Sequence, residues 1–204
     1  MSRIPPLSVK KLKKIDRTAQ KIHYDVFGTS DHYDDIENYL EYQGIDVRYI
    51  ISEDIDGYLR WDDKKDCPVI AVSITGNAPV RQRFTMAHEL GHLILNFGWR
   101  LGIDQNNAQI INGFKHSNKK FLNILSYRGK EYTPEEQEVD EFAGAFLIPT
   151  NKLSKLVNEF VSNDVKDPEQ SANQLAVKVS QTFKVSLQTA TLRLRNYLRE
   201  LQNE

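Results

Sequence analysis

The segment RFTMAHELGHLILNF, residues 83–97, sets the tightest limit on what this chain can fold into. Phe84, Met86, Leu90, Leu93, Ile94 and Leu95 make a run too apolar to face water and too long for an ordinary strand. It predicts a core helix from about Val80 to Asn96. His88 and His92 stand one helical turn apart, so both imidazoles leave the same face. Two ring nitrogens so placed can reach one Zn²⁺ at about 2.0–2.1 Å. Glu89 lies about 100° around the helix from His88, off the ligand position but within reach of a water on that metal. Two ligands and a general base on one turn is the logic of HExxH, and Gly91 keeps bulk away from it. The competing reading is a core helix whose histidines bond to backbone carbonyls. Burying His, Glu and His together without a metal or partners is costly, which favours the metal.

A catalytic zinc takes three protein ligands and keeps one position open. Cys67 is the single cysteine in 204 residues, so no cysteine cluster can hold a metal and the site is expected to use histidines and carboxylates. The acidic stretch EEQEVDEFAGAFLIP, residues 135–149, is the candidate donor. Thr133 as N-cap, Pro134 in the first turn and Glu135 and Glu136 against the helix dipole predict a helix there. Glu136, Asp140, Ala143 and Leu147 share one of its faces. Glu136 can bind the metal while Asp140 holds the free ring nitrogen of a ligating histidine. Glu138, on a face with Phe142, is the alternative metal ligand. Glu135 and Glu141 read as solvated surface.

The remaining pattern predicts an α+β fold. Residues 8–27 read as an amphipathic helix with Ile15, Ala19, Ile22 and Val26 inward, stopped by Gly28, and Ile36–Tyr42 as a second helix. Residues 45–51, 57–61 and 69–73 read as three strands of a short, mainly antiparallel sheet on which the HExxH helix packs. Residues 98–133 have no regular pattern beyond apolar pieces at 110–111 and 121–125, and a loop of that length is more often functional than idle. Helices follow at 134–149, 151–161, 171–183 and 186–202. The expected division is a catalytic unit over 1–162 and a helical segment over 163–204 packed on it.

Charge narrows the function classes. A formal net charge of −1 argues against global attraction to nucleic acid or an anionic membrane. No stretch approaches the roughly 20 apolar residues of a membrane span, and no apolar segment follows the basic N-terminus. A lone cysteine, read as structural, suits a reducing compartment. The expectation is a soluble cytoplasmic protein. A rival reading comes from SANQLAVKVSQTFKVSLQTATLRLRNYL, residues 171–198, which has helix-turn-helix character. Its turn is at Lys184–Val185, Ser186 caps the next helix, and Arg193, Arg195 and Arg199 can face phosphates. On that reading the chain is a DNA- or protein-binding regulator with a structural or sensing metal. Against it, Leu175, Val179, Leu187, Leu192, Leu194 and Leu198 make stripes that would close a core, and Gln188 and Thr189 are the only base-edge readers in sight. DNA binding is therefore not favoured.

RQRFTMAHELGHLIL followed by EVDEFAGAFLIP resembles the ImmA/IrrE family of metallopeptidases over about residues 69–150, and LAVKVSQTFKVSLQTATLRL resembles that family's C-terminal helices. The resemblance implies a small gluzincin-like (zincin) fold. It implies one zinc per chain on His88, His92 and Glu136, with Glu89 as catalytic base. It also implies a protein substrate, a helix-turn-helix repressor, and an anti-repressor role of the phage, mobile-element or stress-response type. Val139 stands where the family has alanine, and the 98–133 segment is longer than usual. A second oxyanion donor is expected from His116, Tyr127 or Tyr132.

Overall fold

The computed structural model describes residues 4–28, 36–76, 78–99, 125–127, 132–161 and 168–202, and among them seven helices meet a four-stranded sheet. The apolar pieces at 110–111 and 121–124, and His116, lie outside the described residues.

Helix α1 (Val9–Phe27) starts where the Ser8 hydroxyl accepts from the Lys11 N–H and ends at Gly28, whose φ of 59° favours glycine. Helix α2 (Ile36–Tyr42) leads into β1 (Asp46–Ile50), β2 (Ile55–Asp62) and β3 (Cys67–Ser73). The sheet order is β1-β3-β2-β4, with β4 (Leu125–Tyr127) on the outer side of β2. β2 pairs antiparallel with β3 and with β4, whereas β1 runs parallel to β3 in the register Asp46↔Val69 to Ile50↔Ser73. The sheet is thus mixed, and it gains a strand from the segment without a readable pattern. The physical reason is burial. Val69, Ile70, Ala71 and Val72 are all 0% exposed, so β3 takes the central place between two strands that are consecutive in sequence.

Helix α3 (Pro79–Leu95) crosses the sheet, and α4 (Pro134–Leu147) packs against α3 and α1. Two glycines allow this closeness. A Cβ on Gly57 of β2 would stand 2.5 Å from Thr85 Cγ2 of α3 and 2.7 Å from the Ala71 carbonyl oxygen. A Cβ on Gly91 would stand 2.9 Å from Val139 Cγ1 and 3.0 Å from Phe142 Cδ1. Gly91 therefore does not keep space open beside a site; Val139 and Phe142 of α4 fill that space. The depth of α4 on α3, and with it the distance between their functional side chains, is set there.

Helices α5 (Thr150–Val161), α6 (Pro168–Phe183) and α7 (Leu187–Leu201) complete the described chain. Leu175, Val179, Phe183, Leu194 and Tyr197 belong to the same hydrophobic cluster as Ile15 and Leu90. Arg83 of α3 donates through Nη1 to the Lys184 carbonyl at 2.6 Å and the Phe183 carbonyl at 3.3 Å, tying the α6–α7 turn to the helix that carries the histidines.

Two further sequence expectations are corrected. Glu141 is not solvated surface: it is 3% exposed and accepts from Arg193 Nη1 at 3.1 Å and from the Asn196 side chain. Arg193 does not face phosphates: it is 1% exposed, and its guanidinium also bonds Asp16, Thr150 and the Ile148 carbonyl. Spacing assigned both residues to outer faces because it cannot see a partner 52 positions away.

His23 of α1 supplies an acid-sensitive element. Its Nδ1–H donates to the Phe146 carbonyl at 2.7 Å, and burial lowers its pKa from 6.5 to about 4. Between these values the unfolded chain binds the proton and the folded chain does not, so stability falls as pH drops from 6.5 towards 4. The full loss is about 3 kcal/mol at 1.36 kcal/mol per pKa unit. Melting temperature followed across this range should fall more steeply for the natural chain than for His23→Gln; parallel curves would remove His23 from the account.

Candidate metal and catalytic site

Helix α3 carries His88, Glu89 and His92 on one turn, and α4 brings Glu136 and Asp140 opposite. The α4 start is built as expected: Thr133 Oγ1 accepts from the Glu136 N–H at 3.1 Å, and Pro134 opens the helix. Capping therefore locates Glu136 at the end of α4 that overhangs the histidines.

The ring orientations are set from outside. The Nδ1–H of His88 donates to Asp140 Oδ1 at 2.9 Å, and that of His92 to Asn96 Oδ1 at 2.8 Å. Both Nε2 atoms therefore turn inward, 3.2 Å apart. Glu136 approaches them with Oε2 at 3.1 Å from His88 Nε2 and Oε1 at 3.7 Å from His92 Nε2. Donors about 2.0–2.1 Å from a tetrahedral Zn²⁺ stand about 3.3–3.4 Å from each other. The three side chains fit one such ion, and among the described residues they form the His/Cys/Asp/Glu group able to hold a metal. Glu138 lies elsewhere: its carboxylate bridges Lys11 Nζ at 2.8 Å.

The electrostatics agree with a cation site. Burial opposes a charge on His88, yet the Asp140 and Glu136 carboxylates, with Glu89 behind them, outweigh it and raise its pKa to about 10. The histidines, His88 foremost, hold Glu136 far below the usual carboxylate range. Two imidazole nitrogens this close cannot both be bare lone pairs, so positive charge belongs between them.

Glu89 is 0% exposed and faces β2. Its Oε1 lies 3.5 Å from where a Gly57 side chain would begin, ordinary contact distance, so the carboxylate sits against the β2 backbone. Beside the histidines opens a cleft of about 520 Å³, walled by Phe84 and His88 of α3, Glu136 and Asp140 of α4, Tyr132, and Leu192 of α7. Tyr132 donates its hydroxyl to Asp140 Oδ2 at 2.8 Å, extending the chain Tyr132–Asp140–His88. Burial and the Asp140 charge push its phenol above the ordinary range. Tyr127 is in β4, and its side chain lies outside what is described.

Sequence reasoning missed Asn96. Its signal was present: an amide one turn after His92, at the helix end, where its own N–H bonds the His92 carbonyl at 3.0 Å.

The family model for peptidase M78, described as the IrrE N-terminal-like domain, matches residues 40–195. No curated protein gives a significant match. Among solved structures, a Mycobacterium tuberculosis transcriptional regulator is similar at 15% identity and a TM-score of 0.47, over 87% of this chain and 45% of that one. The chain thus spans less than half of that protein's length.

Proposed function

The chain belongs to the peptidase M78, or IrrE N-terminal-like, family, and on that premise we propose that it is a zinc-dependent endopeptidase cleaving a helix-turn-helix repressor, an anti-repressor of the phage, mobile-element or stress-response type. The observation that carries the reading is the pair of inward Nε2 atoms 3.2 Å apart with the Glu136 carboxylate beside them. His88, His92 and Glu136 would hold one zinc ion, which supplies Lewis-acid activation of water and of the scissile carbonyl. Glu89 takes the proton of the attacking water and returns it to the leaving amine. Asp140 and Asn96 keep the rings from turning away. Tyr132, at the cleft wall, is the described candidate for a second hydrogen bond to the developing oxyanion, which it can donate once its hydroxyl turns from Asp140. The catalytic unit extends over 1–162, and the helical segment over 163–204 supplies a cleft wall. Location in the cytoplasm follows from the repressor substrate and the lone cysteine. Among the described residues no helix is long and apolar enough to cross a membrane. Burial of Arg193 removes one phosphate contact from the DNA-binding rival, which is not favoured.

Elemental analysis tests the metal assignment. The natural chain should carry about one zinc, lost in Glu136→Ala and kept in Glu138→Ala, whose carboxylate bridges Lys11. The opposite result, with both variants folded, would move the ligand to Glu138. Incubating the zinc-loaded chain with helix-turn-helix repressors, and weighing the products by mass spectrometry, tests the substrate class; intact repressors throughout would overturn it.

A further inference from the structure

The cleft continues past Tyr132. A second hollow of about 960 Å³ adjoins it, and Tyr132, Glu141, Gln188 and Leu192 wall both. Together they make one groove that leaves the histidines and follows the outward face of α7. On that face Leu187, Thr191, Arg195 and Leu198 recur at spacings of four, four and three, and Leu187 and Leu198 are 50% and 45% exposed. Leu7 lines the same hollow, and Arg199 donates to its carbonyl at 2.9 Å. The groove therefore joins apolar surface to guanidinium groups at its far end. Exposed leucines beside arginines, on a helix whose other face already fills the core, mark an interaction surface.

We propose that this groove docks an extended segment of the substrate protein, with apolar side chains near the scissile bond and an acidic residue some three to five positions beyond the point where the segment passes Gln188. The placement of the scissile bond rests on the peptidase reading; the docking of an acidic segment does not. At 1.5 Å per helical residue, Arg195 and Arg199 lie about 10 and 16 Å along α7 from Gln188. An extended chain covers that in about three and five residues at 3.4 Å each. Charge selects the occupant. Glu141 on the groove wall is buried against Arg193, so it does not oppose a carboxylate, whereas Arg195 is exposed and attracts one. Duplex DNA is the other polyanion, but two arginines set among leucines offer few phosphate contacts, and a groove continuous with a cleft suits a single chain.

The test uses the full chain carrying Glu89→Gln, so that a bound peptide stays whole. Fluorescence anisotropy would be read with labelled peptides of about twelve residues, longer than the roughly five extended residues that reach from Gln188 to Arg199 at 3.4 Å each. The peptides are identical except for two glutamates or two lysines at one end, made in both orientations. The glutamate peptide should bind at least about tenfold more tightly, a difference of 1.4 kcal/mol, and lose that advantage when Arg195→Glu is added. Circular dichroism melting, unchanged for a surface substitution, confirms the fold. Equal binding of both peptides, a preference that survives Arg195→Glu, or displacement of the peptide by duplex DNA at physiological salt would overturn the proposal. Acid-selective binding by a chain that, zinc-loaded and with Glu89 intact, cuts no peptide or repressor would uphold the groove and sink the peptidase reading. Cleavage indifferent to acidic residues would do the reverse.

Discussion

Glu89→Gln is expected to slow peptide-bond cleavage by about 10²–10⁴-fold, the range that general acid–base catalysis contributes. Glutamine fits the same buried space beside Gly57, so packing of α3 on β2 survives. What it cannot do is accept and return a proton. Zinc content should stay near one per chain, because His88, His92 and Glu136 are untouched, and the melting temperature should not fall. The informative comparison is with Glu136→Ala, which should lose metal and activity together. Rates measured on a cleaved repressor under single-turnover conditions separate the two. A Glu89→Gln chain that keeps its zinc and cleaves as fast as the natural one would remove Glu89 from the chemistry.

Arg193→Met is expected to destabilise the fold by about 3–5 kcal/mol, the usual consequence of stripping one partner from a buried ion pair. Its guanidinium joins Asp16 of α1 and Glu141 of α4, both buried, and the half-buried Thr150 at the start of α5. Removing it leaves Glu141, already pushed up by burial, without its counter-ion. The loss should show as a lower urea midpoint with an unchanged slope. Adding Glu141→Gln should return part of it, since the orphaned charge rather than the missing arginine dominates the penalty. A single variant within about 0.5 kcal/mol of the natural chain, the range of ordinary surface changes, would show the network to be idle. Because Glu141 follows Asp140 directly, the network also anchors the helix that orients His88.

The histidine helix, its HExxH turn, the Thr133 cap and the Pro134 start of α4 were legible in the sequence because each depends on residues within about one turn of each other. The helices at 9–27, 36–42 and 79–95 follow from the same local periodicity. Their contacts do not. Spacing left Glu136 and Glu138 as rivals, since both lie on the first turns of one helix. Only the seating of α4 on α3, through Gly91 under Val139 and Phe142, turns Glu136 to the histidines and Glu138 to Lys11. Alternation, aromatic content and an apolar β-branched run likewise found β1, β2 and β3 but not that β3 enters between the other two, because pairing depends on which strand can be buried on both faces. Asn96 behind His92, and Glu141 beneath Arg193, belong to the same class. By itself the sequence determined which side chains share a helix face, a matter of covalent neighbours and pitch. The tertiary structure decided what each face meets, because burial and charge pairing are settled between segments far apart in the chain.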